Sequence, residues 1–310
     1  MELNPFFKNN TFNFKDKTIS ESKILEKLNN EGLIILTNFC DKEKQNNIKA
    51  EFNSLLLEKP KWTKILKKES GHVIHYSPLV KYLKKDKKNC KISSTIFKEK
   101  FLKILLSKYL NRSKVLDRMI YTKDKVSDRP ITEWHTDLFP TRSKCLKLFL
   151  YLSDTDNSNG AFSYIPSIHS YMHSLFKKYN LEERKERLHT YEKIRKSLND
   201  LSISLRSKGK QNEYKSIIKK LHLMDDHIND RGEYDNFYSI PAKAGTLIIF
   251  DSAGIHKGGT ISEGERDVIR SHFLEFPIAR ALKSKNELYL YLMNKICKFK
   301  AFIKKENVLL

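Results

Sequence analysis

Gly245-Thr246-Leu247-Ile248-Ile249-Phe250-Asp251, continuing through Ser252-Ala253-Gly254-Ile255 to His256, reads as an apolar strand that runs into a turn and a histidine. Far upstream, Glu133-Trp134-His135-Thr136-Asp137 sets a histidine and an acid two positions apart in a second strand-like stretch. Residues i and i+2 of a strand share one face, so His135 and Asp137 can touch a single ion. His256 as third ligand would place two imidazoles and one carboxylate on one side of a metal. That is the facial arrangement of non-haem Fe(II) oxygenases, with positions left open for other ligands. Spacing does not decide the matter by itself. With 10 histidines and 37 acids, chance supplies roughly one H-x-D or H-x-E triplet, and histidines satisfied within a core are the plainer alternative.

Outward from these two stretches the chain changes texture several times. Residues 20–30 read as a short helix, 33–39 as a strand, and 42–57 as a helix for which Asp41 is the expected N-cap. Residues 81–110 read as mostly helical and very basic. Strands are expected over 115–122, 131–137, 145–153 and 161–165, with Asp156-Asn157-Ser158-Asn159-Gly160 as a turn. Residues 175–230, with Ile217, Ile218 and Leu221 at helical spacing, read as two or three helices inserted into a β framework. Strands resume at 236–240, 246–250 and 268–276. Residues 285–305 form an expected amphipathic helix, with Leu288, Leu292, Ile296, Phe299 and Ile303 on one stripe and lysines opposite. The pattern is an α+β protein built around a β-barrel or sandwich.

Bulk properties limit the classes available. The chain has 310 residues, 39% of them hydrophobic and 31% charged, which excludes both wholesale disorder and a membrane bundle. Its longest apolar runs are of strand length, far short of the roughly 20 residues of a spanning helix. Met1-Glu2-Leu3-Asn4-Pro5 has neither a basic region nor an apolar one behind it, so no secretory signal is expected. Cys40, Cys90, Cys145 and Cys297 are scattered without a CxxC pair. That argues against a disulfide scaffold or a thiolate zinc site and fits the cytoplasm. The formal net charge is +22, with 14 lysines against 4 acids in residues 58–103. Such a surplus attracts anions: nucleic acid, an anionic membrane or an acidic substrate. A chain crowded with Lys, Asn and Ile also carries it through composition alone.

The context of the two decisive stretches is more specific than either. W-H-x-D is followed by Leu152-Ser153-Asp154, Asn159-Gly160-Ala161-Phe162 and Ile165-Pro166-Ser167-Ile168-His169. After an interval come the G-T-L-I-I-F-D strand, its histidine, and Gly264 to Phe273 in the pattern G-x-R-x-x-I-x-x-H-F. This order resembles the phytanoyl-CoA dioxygenase family of Fe(II)- and 2-oxoglutarate-dependent oxygenases. It covers about residues 115–276, and more loosely Asn30-Glu31-Gly32-Leu33-Ile34-Ile35. The resemblance implies a double-stranded β-helix, the jelly-roll barrel also used by cupins. That barrel core would span about 115–276 of a single oxygenase domain over residues 1–310. Flanking N-terminal helices, the helical insertion at about 175–230 and the C-terminal helix would decorate it.

The same resemblance implies His135, Asp137 and His256 as iron ligands and catalytic residues. It implies Arg266 as the residue that binds the distal carboxylate of 2-oxoglutarate, a task suited to a guanidinium's paired hydrogen bonds. Arg270, four along the same strand, is the fallback. Fe(II), 2-oxoglutarate and O2 are the implied cofactors, and an intact Asp137 implies oxygen insertion, since related halogenases vacate that position. Departures exist: Pro166-Ser167-Ile168-His169 stands where the family shows P-G-S-H, and Lys257-Gly258-Gly259 follows the distal histidine. The long interval between His135 and His256 is attributed to the insertion. These departures leave every ligand in place and put the substrate in question.

The expected activity is therefore hydroxylation of an unactivated C–H bond in a small molecule, with release of succinate and CO2. An oxygenase acting on nucleic acid or protein is the rival within the same chemistry, and a non-catalytic binding barrel the rival outside it. Peripheral membrane contact through the C-terminal helix is a further possibility for partners. Tyr121 and Lys147 are placed on strands that could line the barrel. His169 and His173, at i and i+4, could bind zinc but lack the neighbouring glutamate of a zinc protease. His72 and His75 fit packing or surface roles better. The insertion has three open readings: a lid, a dimer surface or a solvated decoration.

Overall fold

A computed structural model describes residues 5–16, 18, 20–59, 63–69, 71–76, 99–110, 115–128, 130–137, 144–178, 188–229 and 237–274. The expected helix at 285–305 lies outside these residues, as do 77–98 within the basic stretch and residues 275–276 of the last strand.

The N-terminal elements follow from local chemistry. Helix α1 (Pro5–Lys8) precedes strand β1 (Thr11–Asn13). Helix α2 (Glu21–Glu31) starts where the Ser20 hydroxyl accepts from the Lys23 amide at 3.1 Å, and it stops at Gly32, whose φ of 74° suits a residue without Cβ. Strand β2 (Leu33–Thr37) follows directly. Asp41 caps α3 (Lys42–Glu58) as expected, accepting from the Lys44 amide at 2.8 Å. The hairpin β3 (Thr63–Lys68) and β4 (Gly71–Tyr76) was hidden in the sequence by its lysines. Of the basic stretch 81–110, α4 (Lys100–Tyr109) is helical as expected.

Strands then dominate: β5 (Val115–Lys125), β6 (Thr132–Asp137), β7 (Cys145–Tyr151) and β8 (Phe162–Tyr164). Helix α5 (Ile168–Lys178) leads into the insertion, which holds β9 (Leu188–Thr190), α6 (Tyr191–Ser207) and α7 (Gln211–Asn229). The chain returns through β10 (Ser239–Ile240), β11 (Leu247–Asp251), β12 (His256–Gly258) and β13 (Glu265–Leu274).

Two sheets result. One runs β1-β2-β11-β7-β13-β5-β4-β3, the other β10-β8-β12-β6-β9. The expected barrel is thus met by two separate sheets among the described residues, with hydrogen bonding ending at β1 and β3 in the first and at β10 and β9 in the second. Side chains join them instead: Phe149 and Phe250 of the large sheet meet Phe162 of the small one, with ring centroids 5.1 and 4.5 Å apart.

Strands β2, β7 and β11 read as nearly continuous apolar runs, interrupted in β7 by Lys147, because both their faces are covered. Ile34, Leu36, Leu148, Leu150, Leu247 and Ile249 face one core together with Leu28, Phe52 and Leu105 of α2, α3 and α4. Their alternates Leu33, Ile35, Phe149, Tyr151, Ile248 and Phe250 face the other core with Phe162, Tyr164 and Leu198. Truncating one of these, Ile249→Ala for example, should cost about 2–5 kcal/mol. The insertion is tied into the second layer: β9 pairs with β6, Thr190 opposite His135, and Leu198, Ile217 and Met224 are buried with the inner-face aromatics. No described helix is long and apolar enough to cross a membrane.

Candidate metal centre

Strand β6 delivers His135 and Asp137 to one face, as period two requires, and β12 brings His256 directly opposite His135 in the ladder. The turn before His256 is laced to β6. The Asp137 amide donates to the Ser252 carbonyl at 2.8 Å, and the Thr136 hydroxyl donates to the Ala253 carbonyl at 2.8 Å. Gly254 lets this turn pass Tyr164, whose hydroxyl would lie 2.1 Å from a Cβ at that position.

The three side chains are 4%, 6% and 2% exposed. His135 Nε2 lies 3.8 Å and His256 Nε2 3.5 Å from Asp137 Oδ2, and one donor atom from each residue falls within 4.8 Å of the others. Each imidazole is oriented by its far nitrogen. Nδ1–H of His135 donates to the Glu133 carbonyl at 2.6 Å, and that of His256 to the Gly254 carbonyl at 2.8 Å. These bonds turn both Nε2 lone pairs toward the shared point, the tautomer a metal ligand needs. Burial and the neighbouring His256 push His135 down to about 3, and burial, then Lys147, lower His256, so both rings are neutral donors near pH 7. The donor set and its orientation fit one divalent cation.

Lys147 completes the cluster. It is the one charged residue of Cys145-Leu146-Lys147-Leu148-Phe149-Leu150-Tyr151, a strand buried throughout. Its ammonium donates to Asp137 Oδ2 and lies 3.3 Å from His256 Nε2. Burial alone would raise the Asp137 pKa, but Lys147 and then the two imidazoles hold it well below the usual carboxylate range. A lysine in the middle of an otherwise apolar strand was the sequence signal for this contact.

Arg266, 2% exposed, lies on the lining of the same cavity. Its Nε and Nη2 donate to Asp124 Oδ2 at 3.3 and 2.9 Å, and its Nη1 donates to the Gly160 carbonyl. Burial would raise the Asp124 pKa, whereas Arg266 and Arg270 hold it below its ordinary value. Sequence reasoning missed Asp124, whose only sign was its place two residues from Thr122 on a strand paired with β13. Arg270 lines the cavity too, its Nη2 3.2 Å from Asp124 Oδ2. The cavity measures about 950 Å³ and is also lined by Val73, Ile120, Phe149 and Phe162.

Other sequence candidates fall elsewhere. His169 Nε2 is 3.0 Å from the Asn29 carbonyl and His173 Nε2 is 2.9 Å from Asp251 Oδ2, so the two pin α5 to α2 and β11 and share no ligand point. Tyr121 stacks on Phe52 at 3.7 Å in the opposite core. His72 is half-buried on β4, and the side chain of His75 lies outside the described residues.

A family model described as Phytanoyl-CoA dioxygenase (PhyH) matches residues 28–268. No curated protein matches the sequence. Among solved structures, the chain is similar to the epimerase SnoN in complex with Fe3+, alpha ketoglutarate and nogalamycin RO, with TM-score 0.50 and 10% identity over 82% of this chain and 83% of that one. It also aligns with the alpha ketoglutarate-dependent carbocyclase SnoK from nogalamycin biosynthesis (0.48; 11%; 83% and 85%). HygX from Streptomyces hygroscopicus, with nickel and 2-oxoglutarate bound, aligns similarly (0.48; 11%; 80% and 85%).

Proposed function

Given that the chain belongs to the phytanoyl-CoA dioxygenase family, we propose that it is an Fe(II)- and 2-oxoglutarate-dependent oxygenase that hydroxylates an unactivated C–H bond of a small molecule. The whole chain would be one oxygenase domain, its two facing sheets the family's double-stranded β-helix. The observation that carries this reading is the convergence of His135 Nε2, His256 Nε2 and Asp137 Oδ2 within a buried cluster whose far nitrogens are already tied to carbonyls. Iron with 2-oxoglutarate and O2 would supply the oxidation, releasing succinate and CO2.

The chain's own residues do the rest. His135, Asp137 and His256 would hold the metal on one side. Lys147 keeps Asp137 ionised by a direct hydrogen bond, so the carboxylate is ready as a ligand. Asp124 and the Gly160 carbonyl engage three of the five N–H groups of Arg266. One N–H on Nη1 and one on Nη2 remain, enough for a carboxylate. Preorganisation of this kind lowers the ordering cost of binding. Phe149, Phe162 and Ile120 line the cavity with apolar surface and limit its water. A cavity of about 950 Å³ suits a small-molecule substrate beside the co-substrate.

The test is anaerobic titration of metal-free protein with Fe(II) and 2-oxoglutarate, read by the visible charge-transfer band of a chelated keto acid. The band should form in the wild type, vanish in His135→Ala and weaken in Arg266→Ala. A well-folded wild type with no band would overturn the reading. A nucleic-acid substrate would instead announce itself through binding that falls steeply with salt.

A further inference from the structure

Arg270 stands out because so little is bonded to it. It projects from β13 four residues beyond Arg266, on the same face and into the same cavity. Whereas Arg266 has partners at all three nitrogens, the hydrogen bonds of Arg270 all leave from Nη2, to Thr122 at 3.3 Å and to the already shared Asp124 Oδ2 at 3.2 Å. Its Nε is buried and has no hydrogen-bond partner. The guanidinium lies over the Phe149 ring, 5.6 Å from the centroid, where a flat cation is held in place by the aromatic face. Native structures rarely leave a buried donor unmatched, and such groups call for a ligand or another role.

Charge points the same way. Of the charged groups lining the cavity, Lys147, Arg266, Asp124 and Asp137 are buried, and Arg270, its side chain 17% exposed, stands beside them. A divalent cation and the dianionic co-substrate cancel each other, so one positive charge stays uncompensated after both have bound. Arg266 is committed by its fork to the co-substrate and Lys147 by its hydrogen bond to Asp137. The surplus therefore rests on Arg270.

We propose that Arg270 is the recognition residue for the primary substrate, which carries an anionic oxyacid group, a carboxylate or a phosphate, joined to an apolar body. The proposal rests on the oxygenase reading for the identity of the cavity and extends it to the substrate class. Nη1 of Arg270, which makes no hydrogen bond within the protein, would take the oxyanion. The apolar body would lie along Val73, Ile120, Ile131, Phe149 and Phe162, which share the cavity with the metal ligands.

The test uses calorimetric titration of hexanoate, hexyl phosphate and the neutral hexanamide. Each is titrated into protein loaded with Ni(II) and 2-oxoglutarate, and separately into metal-free protein. At least one anion should bind about tenfold or more tightly than hexanamide, the scale of one charge-assisted contact, and the tighter anion tells carboxylate from phosphate. Arg270→Met should erase that preference, Arg270→Lys should retain part of it, and 2-oxoglutarate affinity should stay within about threefold in both. Arg270→Gln serves as the second neutral variant should the Met protein not fold. Equal binding of anion and amide, or a preference that survives loss of the guanidinium, overturns the proposal. So does a drop in 2-oxoglutarate affinity of about tenfold or more in Arg270→Met, which would make Arg270 a second clamp for the co-substrate. Absence of the Fe(II)–2-oxoglutarate band in the wild type would count against the oxygenase reading alone, since the metal-free arm still reports the anion preference.

Discussion

Two histidine–aspartate clusters sit five residues apart along the same segment, and they are built for opposite ends. At His256, two imidazoles and the Asp137 carboxylate point their lone pairs at one place, with each ring's N–H turned away to a carbonyl. At Asp251, the carboxylate is used up: the Tyr109 hydroxyl donates at 2.5 Å, His173 Nε2 lies at 2.9 Å, and the Ala253 amide donates at 2.9 Å. The second cluster joins α4, α5 and β11 across the sheet. Residue types alone do not separate a ligand set from a structural knot. What separates them is which ring atom faces the carboxylate: a bare Nε2 at His135 and His256, whose N–H groups go to carbonyls, and a donating Nε2–H at His173.

The largest expected contrast tests this directly. His256→Ala should lower affinity for Fe(II), or for Ni(II) as a redox-inert probe, by more than about 100-fold, since loss of even an outer-shell partner costs 10–100-fold. Metal titration of folded protein checks it. Asp251→Ala should instead strike stability, by about 3–5 kcal/mol in denaturant unfolding, because His173 and Tyr109 lose a buried charged partner. Equal stability loss in the two variants would break the distinction. Tyr109→Phe, which deletes one bond to the same carboxylate, should cost about 2 kcal/mol.

The smallest effect is read through pH. Burial alone would raise the Asp251 pKa; His173 first, then His169 and Tyr109, hold it well below the usual carboxylate range. A depressed folded pKa means the unfolded chain takes up the proton first as pH falls. The stabilisation is therefore complete above the unfolded value of about 3.9 and is lost as pH drops from there towards the folded value. Its slope is at most about 1.4 kcal/mol per pH unit. Acid unfolding curves of Asp251→Asn should be flatter below about pH 4 than those of the wild type. An unchanged slope would mean that the carboxylate is not the group responsible.

Much of the scaffold was legible because its signals are local. Ser20 and Asp41 cap the helices they precede, and the apolar runs at Leu33, Cys145 and Leu247 become strands covered on both faces. The hairpin of β3 and β4 escaped notice because Lys64, Lys67, Lys68 and His72 obscure its alternation. The insertion was recognised as helical, but nothing in it foretold that Leu188–Thr190 would pair with the strand carrying His135. Arg266 was singled out from its motif and lines the cavity, whereas Asp124, which bonds it, carries no motif.

The sequence by itself determined that His135 and Asp137 share a strand face, since that depends only on period two. It also set the covered strands, the helix caps and the order of motifs that places the chain in its family. Tertiary structure alone decided that His256 faces His135, that Lys147 meets Asp137, and that Asp251 receives Tyr109 and His173 from two helices. It likewise left Arg270 with an unmatched donor beside an Arg266 already held by Asp124. Those outcomes depend on pairings between residues from 10 positions apart, for Lys147 and Asp137, to 146, for Arg270 and Asp124. Strand register and sheet packing settle such pairings through the burial of whole faces, which no short stretch of sequence encodes.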